Sequence, residues 1–179
     1  MKSKMVMVIT GVIILALLNY AIWQKQQHLN EGEEIFLKLA PVDPRSLMQG
    51  DYMALRFELS NHVSEAFYGN NQSINNNELA AFSTQNKVAE DGFVVVILDE
   101  NKVAKFVRID DKQMLTVNQR KLQFRVRNNQ VKFATNAFFF AEGDEPLYRN
   151  AQFGVFRLNG SGEVLLTGML GGKFQRLGQ

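Results

Sequence analysis

The sequence predicts a mainly β (α+β) fold, with an N-terminal single transmembrane helix followed by one compact antiparallel β domain with short helices. Three observations lead to this prediction. Residues 5–23 form an uncharged apolar run that is long enough to cross a bilayer. Much of the remaining chain alternates apolar and polar residues, which is typical of half-buried strands. Asparagine-containing turn sequences at residues 128–129 and 159–160 separate two pairs of such runs and predict hairpins.

The composition is that of an ordinary globular protein. Of the 179 residues, 46% are apolar and 21% are charged, and the formal net charge is only +2. Nucleic-acid binders concentrate cations on one face, so this small net charge predicts no nucleic-acid partner. The absence of cysteine from the sequence excludes disulfides and thiolate metal sites. His28 and His62 are isolated in sequence, so we expect surface histidines and predict no metal site and no cofactor.

The apolar run "MVMVITGVIILALLNYAIW" at residues 5–23 predicts a membrane-spanning helix. At about 1.5 Å per residue it covers nearly all of a hydrocarbon core about 30 Å thick. Tyr20 and Trp23 lie at its carboxyl end, where aromatic rings favour the headgroup layer. Lys2 and Lys4 precede the run. Because cations flank the cytoplasmic side of membrane helices, we expect the amino terminus in the cytoplasm and the β domain outside the membrane.

The span is predicted to remain uncleaved. Signal peptidase requires small residues in an A-x-A-like pattern, and the best candidate ends at Ala21 with Asn19 two residues earlier. The predicted organisation is therefore a cytoplasmic tail at residues 1–4, the span, a polar stalk at residues 24–34 and an extracytoplasmic β domain at residues 35–179.

The first part of the body predicts several strands. Alternation indicates strands at residues 35–39 and 51–59. The apolar side chains that should share the core face of the second strand are Met53, Leu55, Phe57 and Leu59. The continuous apolar run at residues 93–98 predicts a central strand covered on both faces. The sequence "DENK" at residues 99–102 predicts a turn into the next strand.

Hairpins and short helices complete the predicted body. In "KLQFRVRNNQVKFA", residues 121–134, alternating apolar side chains predict a hairpin core formed by Leu122, Phe124, Val126, Val131 and Phe133. The second hairpin turns at residues 159–160. Short helices are predicted at residues 60–69, with Asn61 as a cap, at residues 76–85, with Asn77 as a cap, and at residues 144–151. Residues 69–78 are predicted to form a loop. All strands are predicted to share one sheet system.

The segment "PVDPRSLMQG" at residues 41–50 combines turn-forming residues with an arginine. Pro41 and Pro44 fix two φ angles, and Gly50 supplies the conformational freedom that a tight turn needs. Arg45 has no role in turn chemistry and suits either a structural carboxylate partner or an anionic ligand. The candidate carboxylate partners are Asp43, Asp51 and Glu142.

The same region carries a family resemblance. "GDYMALRF" resembles the signature for which the bacterial GDYXXLXY family is named, with Phe57 where the last tyrosine is expected. "LAPVDPRSLMQGDY" resembles the family's lead-in, and residues 138–168 resemble its carboxy-terminal block, with Val155 where a glutamate is expected. The resemblance implies a bacterial envelope protein with an amino-terminal membrane segment, often associated with multi-spanning membrane proteins and without a defined activity.

A hydrolase is an alternative that several residues allow. Residues 46–55 resemble, in outline, the turn and strand that follow the nucleophile of type I signal peptidases, yet Val42 occupies the nucleophile's position. Ser46 is the nearest hydroxyl, and a lysine lowered in pKa by burial, Lys102 or Lys105, would have to serve as its base. Paired carboxylates are a second option, with Asp43, Asp51 and Glu142 as candidates for acid and base.

The sequence favours a single-pass protein of the bacterial inner membrane, with a periplasmic or extracellular domain that binds a membrane-protein partner without catalysis. The alternatives are a membrane-tethered hydrolase and a domain that binds a small anion or peptide. The binding or structural-motif candidates are Pro41, Asp43, Pro44, Arg45, Gly50, Asp51, Tyr52, Leu55, Phe57, Glu142 and Gly143. A row of cations on the predicted hairpin is either solvated or close to the bilayer, and it comprises Arg120, Lys121, Arg125, Arg127 and Lys132.

Overall fold

A computed structural model of the chain consists of a long amino-terminal helix and a β body. It describes residues 2–40, 52–69, 90–127, 130–135 and 137–178. The helices within these ranges are α1 (Lys2–Glu31), α2 (Glu58–Gly69) and α3 (Glu145–Tyr148). The strands are β1 (Glu33–Lys38), β2 (Tyr52–Ala54), β3 (Glu90–Leu98), β4 (Ala104–Ile109), β5 (Gln119–Arg127), β6 (Gln130–Lys132), β7 (Ala137–Phe139), β8 (Ala151–Leu158) and β9 (Val164–Gly171).

The apolar part of α1 projects away from the body. Of its most apolar 18-residue window, 0% is buried by the rest of the chain, whereas the core helix of a soluble protein would be mostly buried. The helix is therefore one candidate membrane-spanning helix, and it contains the predicted span. It continues without interruption past Trp23 to Glu31, so residues 24–31 of the predicted polar stalk are helical.

The body contains three antiparallel sheets rather than the single sheet system that was predicted. Their strand orders are β1-β8-β9, β2-β7 and β4-β3-β5-β6. One apolar core joins them, with Ile35, Met53, Val94, Phe124 and Phe156 among its members. The prediction of one sheet was wrong because period-two alternation determines which face of a strand is buried and carries no information on its neighbour.

The hairpin predictions are confirmed. β5 pairs with β6 through Val126 and Val131, and β8 pairs with β9 through Leu158 and Val164. All five apolar side chains predicted for the first hairpin are buried. In the second turn the side-chain oxygen of Asn159 accepts hydrogen bonds from backbone N–H groups, including that of Glu163 at 2.9 Å. Asparagine therefore organises this turn through its side chain.

The central-strand prediction is confirmed, although Ile97 is 40% exposed and the cover on both faces is limited to residues 94–96. β3 lies between β4 and β5, and Val94, Val95 and Val96 are fully buried. Because successive side chains of a strand point to opposite faces, three consecutive buried valines require cover on both sides of the sheet.

The strand predicted at residues 51–59 is shorter than expected. β2 ends at Ala54, and α2 begins at Glu58, three residues before Asn61, which lies inside the helix and is not its cap. All four predicted core residues are nevertheless buried. Leu59 and Val63 are four residues apart and therefore lie on the same face of α2. Leu59 is thus buried as part of a helix, where a strand was predicted. Residues 76–85, predicted as a helix, lie outside the described residues.

Phe57 links the elements around the core. It forms a bridge with Leu39, and its ring meets that of Phe156 edge-on at a centroid distance of 5.4 Å. Gly154 leaves room for this ring pair, because a Cβ at this position would lie 2.9 Å from Phe156 Cε2 and 3.2 Å from Phe57 Cε1. The ring of Phe57 therefore fills a site that β1, β8 and the chain before α2 build together.

We predict that Phe57→Ala lowers the free energy of unfolding of the body by about 3–5 kcal/mol, because it leaves a cavity the size of a phenyl ring. Denaturation of the detergent-solubilised protein, followed by circular dichroism, measures the change. The control is Phe139→Ala, at a side chain that is 73% exposed, which should cost about 1 kcal/mol or less. Equal losses in the two variants would contradict the central role of Phe57.

Candidate functional site

The polar part of the predicted motif lies outside the described residues. This applies to Pro41, Asp43, Pro44, Arg45, Gly50 and Asp51, and to Val42 and Ser46. The two roles considered for Arg45 therefore stay predictions, as does any pairing of Ser46, Asp43 or Asp51 with a catalytic partner.

The described residues of the motif pack in the core or in a strand pair. Leu55 and Phe57 are 5% and 2% exposed and belong to the main core. Tyr52 is half-buried, lies opposite Phe139 in the β2–β7 pair, and has its ring centroid 5.7 Å from that of Phe139. The aromatic and aliphatic positions of the motif thus hold a strand pair and the entry to α2 in place.

Glu142 and Gly143 lie in an exposed turn after β7. Gly143 has a φ of +88°, a conformation that glycine adopts without strain. Because β2 and β7 are antiparallel, with Tyr52 opposite Phe139, this turn leaves the strand pair at the end where β2 begins. Glu142 itself is exposed to solvent.

The two lysines proposed as catalytic bases are exposed. Lys105 has a side chain that is 64% exposed and forms an ion pair with Asp99 at 3.3 Å. Lys102 occupies the turn between β3 and β4 with a φ of +62°. Neither has the buried setting that a Ser–Lys mechanism requires. Val155, at the position where a glutamate is expected in the family, is fully buried in an apolar cluster with Val103, Phe153 and Leu170.

The most organised polar site of the described residues is the contact between α1 and the body. We call it the helix–body joint and define it by Lys25, His28, Gly32, Arg157 and Glu163. It includes the last two turns of α1, the start of β1 and the turn between β8 and β9. Among the described residues, those of the joint connect α1 to β8 and to the turn between β8 and β9.

His28 is the buried centre of the joint. Its side chain is only 4% exposed, so the prediction that it is a surface histidine was wrong, whereas His62 is exposed as predicted. Nε2 lies 2.8 Å from the backbone oxygen of Arg157, which can only accept, so Nε2 carries a proton and donates. Nδ1 lies 3.4 Å from Asn159 Nδ2, which can only donate. Nδ1 also lies 3.9 Å from Glu163 Oε2, so this nitrogen faces both an amide and a carboxylate.

Gly32 makes the change from helix to strand in a single residue. Its N–H donates to the carbonyl of His28 at 3.0 Å, and a Cβ at this position would lie 2.5 Å from that same oxygen. Arg157 Nη1 donates to the carbonyl of Gly32 at 3.0 Å. The Arg157 guanidinium also lies 3.7 Å from Glu34, which Arg176 contacts at 2.7 Å. Helix and strand are therefore connected by a short, hydrogen-bonded turn.

An exposed ion pair borders the buried part of the joint. Lys25 Nζ contacts Glu163 Oε1 at 2.6 Å, with side chains that are 56% and 41% exposed. The hydrogen bond from Lys25 holds the pKa of Glu163 below its ordinary value. Exposed pairs of this kind contribute about 1 kcal/mol or less, so the buried contacts of His28 and Gly32 contribute more to the stiffness of the joint.

A polar cleft of about 480 Å³ runs along the joint. It is lined on one side by Gln24, Gln27 and Glu31 of α1 and on the other by Ser161 and its neighbours in the β8–β9 turn. Its groups can form hydrogen bonds and ion pairs with a polar partner. Across the part of the chain that the structure describes, no three His, Asp or Glu residues are grouped as metal ligands would be.

The predicted row of cations is largely compensated by acidic partners. Arg120 holds Glu33 through two hydrogen bonds, and these raise the pKa of Arg120. Lys121 contacts Asp110 at 2.6 Å and keeps the pKa of that carboxyl below its ordinary value. Arg127 contacts Asp91 at 3.0 Å. Arg125 and Lys132 form no ion pair with any described residue.

The joint was missed because residues 24–34 are polar and such segments are usually solvated. One sequence signal could have revealed it. Neither proline nor glycine occurs between Gly11 and Gly32, so nothing in the sequence ends the helix at Trp23. A helix that continues to Glu31 ends directly before β1. Its last turns then lie against the β body, which buries one face of the helix.

A family model described as GDYXXLXY protein matches residues 14–169. Comparison with the curated proteins and with the solved structures gave no match.

We predict that His28→Ala lowers the free energy of unfolding by about 1–3 kcal/mol, because it removes the donor to the Arg157 carbonyl and empties the centre of the joint. The matched control is His62→Ala, at the exposed histidine of α2, with an expected change of about 0.5 kcal/mol or less. Hydrogen exchange should accelerate at the backbone amides of residues 24–32 in the first variant alone. Unchanged exchange there would mean that His28 does not hold the helix to the body.

Proposed function

Because the chain belongs to the GDYXXLXY protein family, we propose that it is a single-pass envelope protein whose β domain is a non-enzymatic binding or accessory module for a membrane-protein partner or assembly. The observation that carries the proposal is the helix–body joint. A domain that is joined stiffly to its span presents one fixed surface to its neighbours in the membrane.

A fixed orientation favours association with a partner in the same bilayer. Both proteins are confined to two dimensions, which raises their effective concentration. A body that is already oriented loses less rotational freedom when it binds, so a modest interface suffices. The uncovered apolar surface of α1 and the body above it can contact the same partner together, and the partner class is therefore a membrane protein.

The proposed topology places the amino terminus in the cytoplasm and the body in the periplasm or outside the cell. Lys2 and Lys4 before the span support this orientation. We further propose that the span is retained. The weak cleavage candidate at Ala21 lies within a helix that is continuous from Lys2 to Glu31, and Lys25 and His28 of the same helix contact the body.

We predict that the mature protein keeps residues 1–23 and that its body is accessible from outside the cytoplasmic membrane. Intact mass of the protein purified from membranes tests the first point. Protease added to right-side-out vesicles should digest the body, whereas inverted vesicles should protect it. A mature chain that begins near residue 22, or a body protected in right-side-out vesicles, would contradict the topology.

We predict that the tagged full-length protein, extracted from native membranes in mild detergent, co-purifies with one membrane protein in near-stoichiometric amount. The control carries a flexible Gly-Ser-Gly-Ser insertion between Glu31 and Gly32, which keeps span and body but releases their orientation. Quantitative mass spectrometry should show the partner reduced at least about tenfold, a loss of roughly 1.4 kcal/mol in binding.

Recovery of the unaltered protein alone and monodisperse would overturn the proposal. Equal recovery of the partner with the unaltered protein and with the insertion variant would show that the protein binds a partner. It would contradict the proposal that a fixed orientation of the body is needed for this binding.

A further inference from the structure

Asn19 places a polar amide inside the apolar part of α1. It lies four residues before Trp23, about 6 Å towards the hydrocarbon core from that ring. Its Nδ2 donates to the carbonyl of Leu15 at 2.9 Å, which uses one of the two N–H hydrogens of the amide. Within the described chain, this side chain forms no further hydrogen bond. Because acyl chains cannot form hydrogen bonds, the remaining N–H and the carbonyl oxygen favour contact with a polar group of another helix.

Asn19 belongs to a row of exposed side chains with the spacing of a coiled-coil seam. The row alternates steps of three and four residues, which keeps its members on one face of the helix. We call it the outer seam and define it by Val12, Leu15, Asn19, Ile22, Gln26 and Leu29, all of which are exposed. In a coiled coil, a β-branched residue such as Val12 followed by a leucine such as Leu15 favours two parallel helices, and one asparagine at the position that Asn19 takes fixes their register.

The outer seam lies on the side of α1 that faces away from the helix–body joint. His28 marks the side that the body buries. At about 100° per residue, Asn19 lies about 180° around the helix axis from His28, and Gln26 lies about 160° from it. The body therefore leaves the outer seam open, and a second helix can pack along it without displacing the contacts of the joint.

Leu29 extends the outer seam beyond the span. It lies six residues after Trp23, about 9 Å along the helix axis, whereas the headgroup layer is only about 5–7 Å thick. Its side chain is 39% exposed, although the body buries the adjacent His28. At this height an apolar side chain is stabilised by contact with protein and not with lipid. The occupant of the outer seam is therefore a helix that continues past the membrane, as α1 itself does.

A second copy of α1 matches the outer seam at each of its polar positions. Identical chains insert into the membrane in the same orientation, so two copies of the helix are parallel and each residue of the seam meets its own counterpart. The unused N–H of Asn19 can then donate to the side-chain oxygen of Asn19 of the second copy, and the reverse, so both amides are satisfied. The Gln26 amides can pair in the same way, and the two Leu29 side chains cover each other.

We propose that the outer seam is the interface of a parallel homodimer, whose register is fixed by the pair of Asn19 side chains. The proposal rests on the membrane span of the proposed function and goes beyond it, because it assigns one face of α1 to a second copy of the chain. The helix faces that carry the two joints then point away from each other, and the β domains remain free to bind a different membrane protein.

Disulfide cross-linking of the purified full-length protein in liposomes tests which face of α1 forms the interface. The chain has no cysteine, so each single-cysteine variant reports one position. Leu15→Cys lies on the outer seam, and Leu17→Cys is the matched control, since the two leucines are 61% and 63% exposed and lie about 160° apart around the axis. A disulfide requires Cβ atoms about 4 Å apart, so oxidation should give at least about fivefold more dimer for Leu15→Cys.

Sedimentation equilibrium of the full-length protein in mild detergent tests the role of the amide. Asn19→Leu should raise the dissociation constant of the dimer about fivefold, because it removes the hydrogen bonds between the helices. Asn19→Gln keeps the amide and should raise it less. The control is Thr10→Val, because the Thr10 hydroxyl donates within its own helix, to the carbonyl of Val6 at 3.0 Å, and lies on the face opposite to Asn19. Its dissociation constant should stay within about twofold of that of the unaltered protein.

Equal cross-linking of Leu15→Cys and Leu17→Cys, or an unchanged dissociation constant for Asn19→Leu, would overturn the homodimer. If Leu15→Cys stays monomeric in liposomes but cross-links to a different protein in native membranes, the outer seam binds the helix of another membrane protein. That result would overturn the homodimer while supporting the proposed function. Release of the full-length protein from membranes by alkaline carbonate would remove the span, and both proposals with it.

Discussion

The hydrogen bond between His28 and the backbone carbonyl of Arg157 is the constraint on which the architecture of the molecule depends. It is made inside the protein, where an imidazole without partners would be costly, so both of its ring nitrogens must be satisfied in one arrangement. That arrangement fixes the last turn of α1 against β8. Gly32 then starts β1 immediately, with Glu34 opposite Arg157 in the strand pair. The position of the body relative to the span is therefore determined by backbone contacts over very few residues.

The surface ion pairs around this joint have a different role. Lys25 with Glu163, Arg120 with Glu33 and Arg176 with Glu34 all involve partly exposed side chains, so each contributes little to stability. Their value is geometric, because each connects a different segment to the same short stretch of chain between Lys25 and Glu34. A single exposed ion pair contributes too little free energy to hold α1 against the body. Several such pairs together favour one arrangement among those that the buried contacts allow.

The sequence predicted the parts of the fold that depend on local alternation. β5 and β6 were predicted with the correct buried face, because a slip of one residue would turn the apolar side chains of this hairpin towards water. For β8 and β9 the turn sequence predicted the hairpin without assigning its buried face. The strand that was predicted to reach Leu59 ends early, because Leu59 belongs to α2. The prediction considered only the two-residue spacing of a strand, and the four-residue spacing of Leu59 and Val63 fits a helix. The continuation of α1 to Glu31 could have been predicted, but the contacts of the joint could not, because burial of His28 depends on residues about 130 positions away. The division into three sheets depends on long-range pairing in the same way.

The family signature combines two kinds of residues in one short stretch. Leu55 and Phe57 are core residues, and at 2% exposure a phenylalanine at position 57 needs no hydroxyl partner, which accounts physically for phenylalanine where tyrosine is expected. An enzyme acting on freely diffusing substrates gains nothing from a body that is held stiffly on its anchor, because the substrate arrives from every direction. A module that must meet a neighbouring membrane protein gains from it directly, since orientation fixed in advance reduces the free energy that docking must supply. The contacts of the joint therefore support the assembly role that we propose.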